Sequence, residues 1–192
     1  MPALPASSMR PLPVSPTIDD PMALLRACHD KVRHFCQLAQ RLQAHVRVHG
    51  ADASAREAAQ AVRRYFTLAA PLHHADEEQD LFVALRALGE ARLSRDIDEL
   101  AQEHAELSAL WDGVLPWLDA LTEGRLPGGA EPDVDAFAGR YQRHAQREED
   151  AVYPHATRLS PQALRQLADA MVARRSPSPM PPMLPTGPTG SG

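Results

Sequence analysis

From Asp20 to Met171 apolar residues return every three or four positions, the spacing of one face of an α-helix. Asp20-Pro21 supplies a capping oxygen and then a proline at the first helical position. The stripe Leu25, His29, Val32, Cys36, Ala39, Leu42, Val46 predicts a first helix to about His49, closed by Gly50. Ser54 and Glu57 form a capping box, which predicts a second helix running to about Leu88, ahead of Gly89. Pro71 lies inside it and is expected to bend it or loosen a turn. A third helix is expected over roughly 92–122, with Ile97, Leu100, His104, Leu107, Trp111, Val114, Leu118 and Leu121 on one face. The stretch from Gly124 to Pro132 reads as a loop, and Asp133 as the cap of a fourth helix with the stripe Phe137, Tyr141, His144, Glu148, Val152. Ser160-Pro161 opens a short fifth helix carrying Leu164, Leu167 and Met171. No alternating strand pattern competes. The prediction is an all-α fold: an up-down-up-down four-helix bundle with a short fifth C-terminal helix.

Composition adds boundaries. Of 18 prolines, six fall in residues 1–21 and six in 177–192, mixed with Ser, Gly and Thr. Such segments bury little apolar surface, so disordered tails are expected over 1–18 and 176–192, flanking one bundle domain over 19–175. A net charge of −5 argues against a broad grip on nucleic acid, and no run of eighteen apolar residues predicts a membrane span. The N-terminal stretch lacks the continuous apolar segment of a secretory signal. A cytoplasmic protein with reduced thiols is expected, its two cysteines having no zinc or redox-pair spacing.

Nine histidines then need a reason. Residues 73–82, HHADEEQDLF, and 144–153, HAQREEDAVY, share the pattern H-x-x-x-E-E-x-x-aliphatic-aromatic. A spacing of four brings two side chains together on one helical face, so each copy offers an imidazole and a carboxylate to one point. The first and third helices each add a histidine within an apolar stripe, His29 and His104. At 1.5 Å per residue, His29 should be level with His73 and Glu77 with His104 in antiparallel neighbours, while the long loop lets His144 join them. Buried carboxylates and unsatisfied imidazoles are both costly, and a metal cation answers both. The candidate ligands are His29, His73, Glu77, His104, His144 and Glu148. On the second helix His74/Glu78 has the same spacing as His73/Glu77. Aligning Leu81-Phe82 with Val152-Tyr153 selects His73 and Glu77, leaving His74 as an outer or surface residue. Glu78 and Glu149 read as solvated or as outer partners of the ligands, and His34, His45 and His49 as surface residues. His155 shares a face with Glu148, but Pro154 interrupts that turn.

Four histidines and two carboxylates exceed the needs of one tetrahedral zinc, and mixed nitrogen and oxygen ligation favours iron. If both carboxylates bridge, the set suits two metals joined by an oxo or hydroxo group, with open positions for dioxygen, nitric oxide or peroxide. Phe66, Leu107, Trp111 and Tyr141 are expected to make the surrounding pocket narrow and apolar.

The layout His29 … His73-x3-Glu77 … His104 … His144-x3-Glu148 resembles the bacterial hemerythrin-like, or HHE cation-binding, domain family. The resemblance covers about 20–157, and its paired H-x-x-x-E-E motifs are the most specific part. It implies a non-haem di-iron centre inside a four-helix bundle, with the four histidines as terminal ligands and Glu77 and Glu148 as bridges. Oxygen-carrying members have a further histidine where this chain has Ser108. That departure turns the expectation from reversible oxygen carriage towards sensing or redox chemistry. The expected function is a non-enzymatic di-iron protein that binds or senses dioxygen or a related small oxidant. The alternative is a di-iron redox protein that handles nitric oxide or peroxide, or donates iron for iron–sulfur repair. No catalytic residue outside the metal set is expected, and no protein partner is identified.

Overall fold

A computed structural model describes residues 20–176, which among themselves form only helices, turns and loops. The expected tails fall outside the described residues, apart from Ser176. The order is α1 (Pro21–His49), α2 (Ala53–Arg64), a widened π turn (Tyr65–Ala69), α3 (Ala70–Asp76), a second π turn (Glu77–Leu81), α4 (Phe82–Arg86), α5 (Ala91–Thr122), α6 (Val134–Ala151), a 3-10 segment (Tyr153–Arg158) and α7 (Pro161–Arg175). The segments from α2 to α4 are one continuous helical run and correspond to the second helix expected from the sequence. None of the described helices is long and apolar enough to cross a membrane.

The helix ends follow local chemistry. Asp20, Asp133 and Ser160 each accept a hydrogen bond from the backbone N–H three residues on, as expected of caps. Gly50, at φ 72°, closes α1 by donating its N–H to the Val46 carbonyl. The start of α2 differs from expectation: its cap is Asp52, whose carboxylate accepts from the Ala55 N–H at 2.8 Å, and not Ser54. Asp52 wins because it also pairs with His45 at 3.0 Å, which ties the end of α1 to the start of α2. His45 is therefore buried rather than a surface residue. Pro71 acts as expected. In the turn before it, the Ala70 N–H reaches back five residues to the Tyr65 carbonyl.

Contacts join α1 with α2, α2 with α5, α5 with α6 and α6 with α1, and α7 lies against α1 and α3. The apolar core is split in two. One cluster includes Val32, Leu42, Val62, Phe66, Leu107, Leu118, Phe137 and Tyr141. The other includes Leu25, Leu81, Phe82, Ile97, Leu100, Val152, Tyr153 and Met171. Between them lies a buried layer of His29, His73, Glu77, His104, His144 and Glu148. The chain crosses this layer once in α1, once between α3 and the second π turn, once in α5 and once in α6, and meets the two clusters in reversed order on successive crossings.

The fifth helix is more than a cover. Asp76, fully buried, is paired with both Arg174 and Arg175 from the last turn of α7, and Arg174 also reaches Asp80 at 2.6 Å. Leu167 and Met171 seat the same helix in the second cluster. Removing one side of a buried ion pair strands the other, at about 3–5 kcal/mol. Replacing both Arg174 and Arg175 by Ala should therefore lower the unfolding free energy in urea by about that amount. Adding Asp76→Asn to the double variant should recover part of the loss; a double variant as stable as wild type would contradict this account.

Candidate metal centre

The four crossings bring the six predicted side chains together, and a seventh with them. Donor atoms of His29, His73, Glu77 and Glu148 lie within 4.8 Å of one another, and so do those of His74, His104 and His144. The two carboxylates connect the groups. Glu148 directs Oε2 at His29 Nε2 (3.0 Å) and Oε1 at His144 Nε2 (3.1 Å) and His104 Nε2 (3.4 Å). Glu77 has Oε1 4.0 Å from His29 Nε2 and Oε2 3.6 Å from His73 Nε2 and 3.5 Å from His104 Nε2. Each carboxylate thus has one oxygen on the His29 side and its other oxygen within reach of His104. His73 and His74, between which only the repeat alignment chose in the sequence, divide between the two groups.

Three imidazoles are held from behind. His29 Nδ1 meets Glu149 at 2.8 Å, His104 Nδ1 meets Glu78 at 2.6 Å and His144 Nδ1 meets Glu103 at 2.9 Å. An ionised carboxylate only accepts, so each Nδ1 carries the hydrogen and donates it. In each neutral imidazole the Nε2 lone pair then faces the centre. Burial opposes ionisation of Glu149, but His29 and Arg33 outweigh it and hold the carboxyl down at about 2. Glu103, likewise against burial, is lowered by His144, Arg140 and Arg147. The second Glu of each repeat therefore clamps a histidine on a neighbouring helix. Glu103 was not marked by the sequence, although it directly precedes His104.

The interior of this layer is electrostatically unfinished. His73 Nδ1, Glu77 Oε2, His104 Nε2, His144 Nε2 and both Glu148 oxygens are buried and have no hydrogen-bond partner among the described residues. Native structures rarely leave such groups bare. Nitrogen lone pairs and carboxylate oxygens are alike acceptors, and a cation between them would satisfy both. The donor set therefore fits a metal. Burial resists ionisation of Glu148, but the nearby His104, His144 and His29 hold its carboxyl well below the ordinary range. Burial and the charge of Glu148 instead push Glu77 well above it. Burial would lower His29 and His144, but the carboxylates around them raise both above the usual imidazole range. His73 is driven well down by burial, and His74 to about 3 by burial and His104.

Tyr153 was legible only as the aromatic end of the repeat. Its hydroxyl donates to Glu77 Oε1 at 2.6 Å and lies 3.1 Å from His29 Nε2. Burial, then the charge of Glu77, keep the phenol protonated far above its ordinary range. His74 was read as an outer or surface residue. Its ring instead stacks on His104 with centroids 4.0 Å apart. Of the remaining histidines, His34 is half-buried on α1, His49 is exposed, and His155 faces Glu90 at 3.6 Å, away from this cluster.

The expected narrow apolar pocket is not what the structure holds. Leu107 is fully buried in the core, and a cleft of about 440 Å3 opens between the α2–α4 run and α5. Phe66, Trp111 and Tyr141 line it together with His74, Glu78, His104 and Ser108. The short side chains of Ala70, Ala75, Ala101 and Ala105 leave it wide.

Two comparisons bear on this arrangement. A family model described as the hemerythrin HHE cation binding domain matches residues 20–156. A protein of Haemophilus influenzae, described as uncharacterized, is 31% identical over 159 residues, covering 83% of this chain and 92% of the relative.

Loss of a carboxylate behind a metal-binding histidine typically costs about 10–100-fold in affinity. Glu149→Ala should weaken cation binding by about that factor in competition with a chelator, without emptying the site. Protons raised onto His29 and His144 must leave when a cation binds, so uptake should release protons and strengthen as pH rises through and above 6.5. An indicator dye follows the release; affinity flat with pH would contradict the assignment.

Proposed function

This chain belongs to the hemerythrin HHE cation-binding domain family, and from that premise we propose that its buried layer holds two iron ions and that the protein binds or senses dioxygen or a related small oxidant. The observation that carries this reading is Glu148: fully buried, with one oxygen turned to His29 and the other to His104 and His144. A carboxylate so divided is disposed to bridge two cations. His29, His73, Glu77, His104, His144 and Glu148 are the proposed ligands. His74 joins His104 and His144, supplying from α3 a nitrogen that Ser108 of α5 does not. Iron, when bound, would supply reversible electron storage and a place for a small oxidant to react.

The protein's own groups set the terms. Glu149, Glu78 and Glu103 orient three imidazoles and make them stronger donors. Tyr153 holds Glu77 by one oxygen and keeps a proton beside His29. The two apolar clusters seal the layer above and below, limiting hydrolysis and proton leakage. The same reading takes the four crossings as an up-down-up-down bundle, supported by the reversed order of clusters on successive passes. It places the protein in a reducing cytoplasm, consistent with the unpaired Cys28 and Cys36. The open cleft at His74 and His104 favours a second reading, turnover of nitric oxide or peroxide.

Metal analysis should find two irons per chain, with near-ultraviolet oxo-to-iron absorption. Glu148→Ala should lose that iron while circular dichroism shows retained helix; a variant still carrying two irons would exclude the proposed site. Stopped-flow mixing of the reduced protein with oxygen separates the two readings. A persistent oxygenated spectrum means binding, and sustained oxygen consumption means turnover.

A further inference from the structure

The cleft beside His74 is far larger than a diatomic ligand requires. At about 440 Å3 it lies in the range of sites that enclose small organic molecules. Its aromatic wall is already braced, with Phe66 packed on Tyr141 (ring centroids 5.0 Å apart) and on Trp111 (5.4 Å). An apolar body could bind there without ordering new side chains. The opposite end is polar. Ser108 donates its hydroxyl hydrogen to the His104 carbonyl at 3.0 Å, leaving its oxygen free to accept. His74 makes ring contacts but no hydrogen bond among the described residues. The charge balance of the walls is also selective. Among the described residues Glu78 is the one acidic residue lining the cleft, and no Lys or Arg lines it to compensate an anion.

We propose that this cleft binds neutral organic molecules about the size of a substituted benzene, with the ring against Trp111 and Phe66 and a hydroxylic head at Ser108 and His74. The site deepens the di-iron reading, because His74 and His104 belong to both the cleft and the cation cluster. An oxygen-headed molecule held here approaches the second group of histidines from the solvent side. Selection by size rests on Ala105 and Ser108, exposed residues of α5 where a larger side chain would fill the opening without entering the core.

Phenol and benzoate carry the same ring but differ in charge at neutral pH, which makes them the probes. The full chain, metal-free and iron-loaded, is titrated with each while tryptophan emission is followed. Trp111→Phe identifies the signal from the cleft wall. Phenol should quench saturably in both forms, and benzoate should not. Ser108→Leu and Ala105→Leu should each weaken phenol binding by about tenfold or more, with the iron content of the loaded protein unchanged. Equal binding of phenol and benzoate, no saturable quenching, or leucine variants that bind phenol like wild type would each overturn the proposal. A chain that takes up no iron would sink the di-iron reading, while the metal-free titration would still decide this one.

Discussion

Two carboxylates buried within reach of the same imidazoles are the constraint from which the rest of this structure follows. Taking even one ionised carboxylate out of water costs several kcal/mol unless charge and hydrogen bonds are returned to it. Here Glu77 and Glu148 are both fully buried, and the five imidazoles grouped with them cannot all be protonated, since His73 and His74 are driven down by burial. Among the described residues Tyr153 supplies a hydroxyl to Glu77, while Glu148 depends on the imidazoles of His29, His104 and His144. Six buried nitrogen and oxygen atoms of His73, Glu77, His104, His144 and Glu148 still have no hydrogen-bond partner among the described residues, all of them metal-ligating types, between two apolar clusters. A cation would satisfy these donors together and displace the protons on His29 and His144, so folding and metal binding should be thermodynamically linked.

Much of this was legible because helical periodicity and ligand spacing coincide. The stripes through His29, His104, His144 and Glu148 are core stripes that happen to contain donors, and all four residues are buried. The doubled glutamates carried more information than their spacing revealed. Glu78 and Glu149 each cross to a histidine on another helix, a contact that depends on packing and therefore lies beyond a one-dimensional pattern. Glu103 and Tyr153 escaped for the same reason: their value comes from what stands opposite them. The cap of α2 was misplaced by two residues because Asp and Ser cap about equally well, and the deciding partner, His45, lies on the preceding helix.

The second helix shows where local rules ran out. Pro71 announced one loosened turn, but nothing announced the second, at Glu77–Leu81, where the Phe82 N–H reaches back to the Glu77 carbonyl. An inserted residue of this kind rotates the helix face that follows it and is frequent at functional positions. Here both widened turns flank the short α3 that carries His73 and His74, and the cleft opens along the same stretch. The departure from regular helix and the accessible side of the cation layer thus coincide.

Asp76 stands one residue before Glu77, and its partners Arg174 and Arg175 stand well past residue 156, where the family match ends. A fragment trimmed to the matched segment would leave Asp76 without its arginine partners, beside the buried Glu77. Charge neutrality, and not the extent of similarity, thus ties the bundle interior to the last turn of α7.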